Sequence, residues 1–144
     1  MQTTLTTRGR RAFGSTMLLI AAAVSLLAGV FFLAVRGTFG LDSTHNGDCY
    51  NFLIVVLLCG GAAVAAVMWL TRHEGLGAGV LTGAVIASVC IFVHECYWYI
   101  VDVFVGIDEK HGFDPKFIIF TVLLVLALIA AEVAVYARKT RSEK

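Results

Sequence analysis

Long apolar stretches without any charged or histidine side chain dominate the pattern of this 144-residue chain. Four such stretches occur, at residues 15–35, 49–71, 75–93 and 117–131. Because a helix rises about 1.5 Å per residue and the hydrocarbon core is about 30 Å thick, a membrane span needs roughly 20 apolar residues. The last stretch reaches this length only if it includes Glu132. The pattern predicts transmembrane helices at residues 13–35, 49–71, 75–99 and 115–137, in a single transmembrane domain over residues 1–144.

The third predicted helix is unusual because its apolar pattern continues past Asp102 to about residue 105. Either this helix is tilted, or its last two turns project beyond the membrane. The aromatic run 97–99 is typical of a membrane interface, where the amphipathic rings of Tyr and Trp sit at headgroup level. The fourth helix has a clear start signal, since Asp114 is a good N-cap and Pro115 fits the first turn.

The composition agrees with a membrane protein, with 59% hydrophobic residues, 15% charged residues and one proline. Cations concentrate in the two tails and in the turn between helices 2 and 3, as Arg8, Arg10, Arg11, Arg72, Arg138, Lys139, Arg141 and Lys144. Acids concentrate in the other two loops, as Asp42, Asp48, Asp108, Glu109 and Asp114. Since Lys and Arg in short segments mark the cytoplasmic side, both termini are predicted to be cytoplasmic. The predicted fold is an all-α, integral membrane, four-helix antiparallel bundle with short loops, in the cell membrane; compactness favours a bacterial cytoplasmic membrane.

The N-terminal segment also has the order of a signal peptide, with arginines before an apolar run. The run from residue 13 to 35 is too long for such a peptide, and Arg36, Gly37 and Thr38 make a poor cleavage site. A retained first helix is therefore the better interpretation.

Small residues recur every four positions on helix 3, at Gly75, Gly79, Gly83 and Ala87. Helix 2 carries the pair Gly60 and Gly61. Small residues at this interval let another helix approach closely, which matters in lipid because no hydrophobic force drives helices together. Two interpretations remain: the helix 2–helix 3 contact within the chain, and an interface with another molecule.

The cysteine positions suggest one disulfide. Cys49 and Cys96 are expected at similar depth near the outer boundary, because helices 2 and 3 run antiparallel around the turn near residue 73. An oxidising exterior would permit a bond between them. Cys59 and Cys90 lie within the spans and are expected to be small apolar fillers. No Cys-x-x-Cys motif supports thiol oxidoreductase chemistry.

Four ionisable residues lie in or against the membrane: His94, Glu95, Asp102 and Glu132. A charged side chain in the membrane costs free energy, so an ionisable residue there first suggests a functional site. The first three can bind a divalent cation, relay protons, contact a partner, or form an interfacial polar end of structural importance only. For Glu132 a structural salt bridge is the favoured interpretation.

The first outer loop begins like a calcium-binding loop, with oxygen-bearing side chains at Asp42, Thr44 and Asn46 before Gly47. Leu53 occupies the position where such a loop needs a bidentate acid, so a polar turn is the better interpretation. A second metal hypothesis uses side chains outside the membrane, which are Asp42, His45, Asp48 and His111. No ligand pair among them has a diagnostic spacing. No cofactor is predicted, although a divalent cation remains an alternative.

The leading functional prediction is a non-enzymatic membrane subunit, which forms homo-oligomers or joins a larger membrane-protein partner through its small-residue helix faces. The alternative is an oligomeric ion channel or metal or proton transporter that uses Glu95, Asp102 and His94. A membrane enzyme acting on lipid or quinone is a third option. The lipid bilayer is the expected surrounding, and no basic patch suggests nucleic acid.

Overall fold

The computed structural model describes residues 3–36, 50–105 and 113–137, with residues 3–12 described by their backbone alone. This part of the chain contains five helices and no strand. The helices are α1 (Thr3–Val35), α2 (Phe52–Leu70), α3 (Glu74–Glu95), α4 (Tyr97–Val105) and α5 (Pro115–Tyr136). Four segments are long and apolar enough to cross a membrane: Phe13–Val35, Phe52–Leu70, Glu74–Glu95 and Pro115–Tyr136. The predicted all-α bundle is confirmed, and the chain is a multi-pass helical membrane protein.

The four long helices form a closed ring in which α1 packs against α2 and α5, and α3 packs against the same two helices. Two polar contacts show the antiparallel order. Trp69 Nε1 donates a hydrogen bond to Ser15 Oγ, which joins the end of α2 to the start of the α1 span. Asn51 Nδ2 donates to Glu95 Oε1 at 2.9 Å, which joins the start of α2 to the end of α3. We call the end that contains Ser15, Trp69 and Arg72 the basic end, and the end that contains Asn51 and Glu95 the acidic end.

Side-chain caps set the starts of α2 and α5. Asn51 Oδ1 accepts a hydrogen bond from the backbone N–H of Leu53 at 3.0 Å. This cap explains why α2 begins at Phe52, three residues after the predicted start at residue 49. Asp114 Oδ1 accepts from the backbone N–H of Lys116 at 2.8 Å, with proline in the first turn, as predicted for the fourth span.

A tight turn connects α2 to α3 at the basic end. The backbone N–H of His73 donates to the Met68 carbonyl at 2.8 Å, and that of Arg72 donates to the Trp69 carbonyl at 3.2 Å. This pair of bonds is the Schellman arrangement, which places one residue in the left-handed conformation. Here that residue is Arg72, with φ of 62°. A side chain in this conformation costs about 1–2 kcal/mol, but a cation is favourable beside the negative end of a helix.

The third predicted span, at residues 75–99 with an apolar pattern to about 105, is divided between two helices in the structure. α3 ends at Glu95, and the nine-residue helix α4 starts at Tyr97. The junction is Cys96, a fully buried residue with φ of −89° and ψ of 6°, outside the usual helical values. Helical hydrogen bonding resumes at once, because the N–H of Ile100 donates to the Cys96 carbonyl at 2.9 Å. The break turns Tyr99 into the protein, where its hydroxyl accepts from the backbone N–H of Asp114 at 2.9 Å.

The core changes in character from one end to the other. Toward the acidic end, aromatic rings from three helices meet: the Phe32 and Phe92 centroids lie 4.7 and 4.8 Å from that of Phe120. Toward the basic end, the core consists largely of small residues, among them Ala21, Ala65, Ala78, Ala131 and Ala134. Small residues allow the helix backbones to approach closely, which compensates for the lack of a hydrophobic force between helices in lipid.

Candidate functional site

Three glycines mark the places where helices touch inside the chain. A Cβ atom on Gly29 would lie 2.6 Å from Cys59 Sγ, and one on Gly61 would lie 2.7 Å from the Ala84 Cβ. A Cβ atom on Gly77 would lie 2.9 Å from the Met68 Cβ. Because non-bonded heavy atoms normally pack about 3.5–4.0 Å apart, a Cβ atom at any of the three positions would force a neighbouring atom to move. These glycines hold α1 against α2, and α2 against α3.

Three other glycines face out of the chain. A Cβ atom on Gly60, Gly79 or Gly83 would meet nothing within 4 Å. Of the remaining small residues predicted to pack, Gly75 is exposed and Ala87 is half-buried. The α2–α3 contact therefore uses Gly61 and Gly77, whereas Gly79 and Gly83 lie outside it. Whether the outward glycines contact a second molecule stays a prediction.

The outward glycines lie on apolar faces. On α3, Gly79 and Gly83 share one helix face with the exposed residues Ile86 and Cys90, at helical spacing. On α2, Gly60 lies between outward side chains one turn away on either side, which are Val56, Ala63 and Val64. We call the surface formed by Gly79, Gly83, Ile86 and Cys90 the α3 glycine face.

The four ionisable residues lie at both ends of the bundle. Glu95 is exposed, and its carboxylate accepts the hydrogen bond from Asn51, which also caps α2. His94 is exposed, and Asp102 lies half-buried on α4, beyond the break at Cys96. Glu132 lies near the end of α5, at the basic end of the bundle. The structure thus separates Glu132 from the other three by most of the length of the bundle.

Among the described residues, no group of three or more His, Cys, Asp or Glu side chains could hold a metal ion. The metal candidates Asp42, His45, Asp48 and His111 lie outside the described residues. The ion or proton site at the acidic end therefore stays a prediction, as does the divalent cation.

The cysteines occupy three different environments. Cys59 is half-buried against Gly29, as expected of a small apolar filler, whereas Cys90 points out of the chain. Cys96 is buried at the α3–α4 junction, and its predicted partner Cys49 lies outside the described residues. The Cys49–Cys96 disulfide stays a prediction.

One buried hydrogen bond that was not predicted from the sequence links α1 to α2 midway along their spans. Ser25 is fully buried, and its hydroxyl donates to the Leu58 carbonyl at 3.1 Å. A signal was present, because Ala21, Ser25 and Gly29 recur every four residues along α1. Small and hydroxyl residues at this interval are typical of a close contact between transmembrane helices.

The chain matches no protein-family model, and no curated protein or solved structure is significantly similar to it.

Proposed function

We propose that this protein is a non-enzymatic membrane subunit that assembles, with a second copy or with a larger membrane partner, through the α3 glycine face. The observation that carries the proposal is the division of the glycines into two sets. Contacts between helices of the same chain surround the first set, which is Gly29, Gly61 and Gly77. The second set faces out of the chain, because a Cβ atom on Gly79 or Gly83 would meet nothing within 4 Å.

The outward glycines make α3 less stable as a helix, and no contact within the chain compensates for this loss. Glycine in a helix is about 1 kcal/mol less favourable than alanine. At Gly79 and Gly83 an alanine would fit without any contact, so the packing of this chain does not require glycine there. A helix of another molecule that packs against these positions would gain close backbone contact. Assembly with another helix would therefore explain why glycine occupies both positions.

The side chains beside the outward glycines fit the same proposal. Val80 and Ile86 are apolar and exposed, so they can border a groove whose floor is Gly79 and Gly83. Branched side chains beside glycines supply the van der Waals contact that holds helices together in lipid. The face carries no charge between Gly79 and Cys90. A partner would therefore present an apolar transmembrane helix.

The test is a pair of bulky substitutions, Gly79→Leu and Gly83→Leu, with Val125→Leu, at an exposed position on α5, as the control. Since the glycine positions are open in the single chain, both leucine variants should fold with unchanged or higher thermal stability. Assembly in lipid nanodiscs, measured by counting labelled copies or by co-purification of a partner, should be lost in both. Val125→Leu, which lies away from the α3 glycine face, should retain assembly.

Cys90 offers a native cross-linking probe for a homo-oligomer, because it lies on the α3 glycine face. In a symmetric dimer around this face, a short bis-maleimide should join two copies, and Cys90→Ser should abolish the product. Cross-links to a different protein would instead identify a larger partner. The proposal is wrong if the native protein is a monomer in lipid with nothing co-purifying, or if both leucine variants assemble normally. Cation flux in liposomes that Glu95→Gln abolishes would favour the transport alternative.

A further inference from the structure

Thr82, on α3, has a hydroxyl oxygen that is buried without a hydrogen-bond partner in the described part of the chain. Other hydroxyls of the spans have partners. Those of Ser88 and Thr121 donate to the carbonyl four residues back, each at 2.8 Å, and that of Ser25 donates to α2. An unpaired hydroxyl in an apolar surrounding costs free energy, because no water replaces the missing bond. Thr82 can therefore accept or donate a further hydrogen bond.

Glu132 is a half-buried acid within the span formed by α5. The only other charged residue of α5 is Lys116, at the opposite end of the helix, and α3 contains no Lys or Arg. A carboxylate inside a span is costly unless a cation or a hydrogen-bond donor approaches it. Neither α3 nor α5 supplies a cation at this level of the bundle.

Thr82 lies on the side of α3 that faces α5. The opposite side of α3 is marked by Ala84, whose Cβ lies close to Gly61 of α2. A step of two residues turns a helix by about 200°, so Thr82 lies nearly across the helix from Ala84. In the ring of four helices, α3 packs against α2 and α5. The buried oxygen of Thr82 is therefore covered from the α5 side.

Glu132 lies at the α3 edge of α5. The Phe120 ring contacts Phe32 of α1 at 4.7 Å, and the Phe117 ring contacts Phe92 of α3 at 5.4 Å. Around α5, the positions 120, 117 and 132 follow one another in steps of about 60° in the same direction. Glu132 is thus turned away from α1, past the Phe117 contact. Its half-burial is explained by its place at the outer edge of the α3–α5 contact.

The two polar side chains lie at nearly the same level. Phe92 contacts both Phe117 and Phe120, which fixes how α3 and α5 are aligned. From this contact toward the basic end, Thr82 lies about 15 Å away along α3, and Glu132 about 18–23 Å away along α5. Side chains lean toward the N-terminus of their own helix. Thr82 therefore leans toward the basic end and Glu132 toward the acidic end, so the two side chains converge.

We propose that the partner helix on the α3 glycine face carries a Lys or Arg that binds Glu132, with the Thr82 hydroxyl as a second acceptor. The inference rests on the proposed function and adds the chemistry of the partner. Gly79 lies one turn from Thr82, so a helix packed on this glycine passes beside the polar pair. A cation complements the carboxylate, and such charge-assisted hydrogen bonds are about twice as strong as neutral ones.

The same argument selects a different protein over a second copy. The four spans of this chain contain one Lys or Arg, which is Lys116 at the acidic end. A second copy packed through its own α3 glycine face would present no cation from its spans at the level of Glu132. The occupant is therefore a transmembrane helix of another protein, with one basic residue among apolar ones.

The test uses synthetic transmembrane helices of leucine and alanine, each with two glycines four residues apart. One probe has a lysine one turn from its glycines, and the matched probe has methionine there, which has no charge. Binding to the full chain is measured by energy transfer in nanodiscs of zwitterionic lipid. The lysine probe should bind at least about tenfold more tightly, the factor expected for a hydrogen bond to a charged group. Glu132→Gln should abolish this preference, and Thr82→Val should reduce it. The control Glu95→Gln, at the acidic end, should leave it unchanged.

Equal binding of the two probes, or no binding of either, would overturn the inference. So would a lysine preference that survives Glu132→Gln. Gly79→Leu separates this inference from the proposed function, because it should weaken both probes alike. If it does so while no lysine preference exists, the α3 glycine face remains and only the role of Glu132 is wrong. If Gly79→Leu changes nothing, the proposed function itself fails.

Two further outcomes address the other possible partners of Glu132. Glu132→Gln should not lower the free energy of unfolding of the monomer. A loss of stability would show that Glu132 forms an ion pair within its own chain, and the inference would be wrong. A homo-oligomer of the pure protein that Glu132→Gln disrupts would assign the carboxylate to a second copy and would also contradict the inference.

Discussion

The adjacent glycines of α2 offer a sharp test of the packing. Gly60 and Gly61 are neighbours on one helix and lie at nearly the same depth in the membrane. Gly61 faces α3, whereas Gly60 faces out of the chain. A Cβ atom on Gly61 would lie 2.7 Å from the Ala84 Cβ on α3, whereas one on Gly60 would meet nothing within 4 Å. Gly61→Ala and Gly60→Ala are therefore the same chemical change, with and without a steric clash.

The magnitude follows from two opposing effects. Each substitution gains about 1 kcal/mol because alanine favours the helix more than glycine. Gly61→Ala must also separate α2 from α3 by about 1 Å to restore normal carbon contact. Overpacking of this kind costs about 1–3 kcal/mol. The free energy of unfolding of Gly60→Ala should exceed that of the native protein by up to about 1 kcal/mol. That of Gly61→Ala should be lower than that of Gly60→Ala by about 1–3 kcal/mol.

The assay is reversible unfolding of the monomer in mild detergent by increasing SDS, followed by helical circular dichroism. Working at low protein concentration keeps assembly from contributing to the measured free energy of unfolding. The reasoning would be refuted if the two alanine variants had equal stability, or if Gly61→Ala were the more stable of the two. Either result would mean that α2 and α3 do not approach at Gly61 as closely as the structure describes.

The acidic end allows two further predictions. Asn51→Ala should destabilise the protein by about 0.5–2 kcal/mol, because it removes both the α2 cap and the hydrogen bond to Glu95. Unfolding by SDS would measure this change in the free energy of unfolding. A change smaller than the experimental error would show that the cap contributes nothing. Tyr99→Phe should cost about 0.5–1.5 kcal/mol, because it removes the acceptor for the Asp114 N–H. The same assay should show no effect for Tyr97→Phe, an exposed position on α4, and equal losses would contradict the role assigned to Tyr99.

Local signals in the sequence were sufficient for the spans and for several helix ends. The predicted fourth span was 115–137, and α5 is Pro115–Tyr136, because Asp114 and Pro115 act on their immediate neighbours. The break at Cys96 had no such signal, since residues 94–99 contain neither Gly nor Pro. The helix is interrupted three residues before Tyr99, whose hydroxyl contacts the start of α5, a contact between residues 15 positions apart.

Only the tertiary structure shows which small residues contact another helix of the chain and which face outward. Spacing alone placed Gly75, Gly79 and Gly83 on one helix face, but it could not say what that face touches. Gly77, which lies off this pattern, makes the contact with α2, and the overlooked Ser25 bonds across to α2.

The sequence by itself determined the class of this protein: four helices that cross lipid, with cations at one end and acids at the other. Those properties depend on the length and charge of each segment alone, because lipid obliges every apolar segment to satisfy its own backbone as a helix. The tertiary structure decided which glycines are buried between helices and which open outward. That choice depends on how each helix is rotated about its axis, and the hydropathy of a span that is apolar on all sides carries little information about rotation.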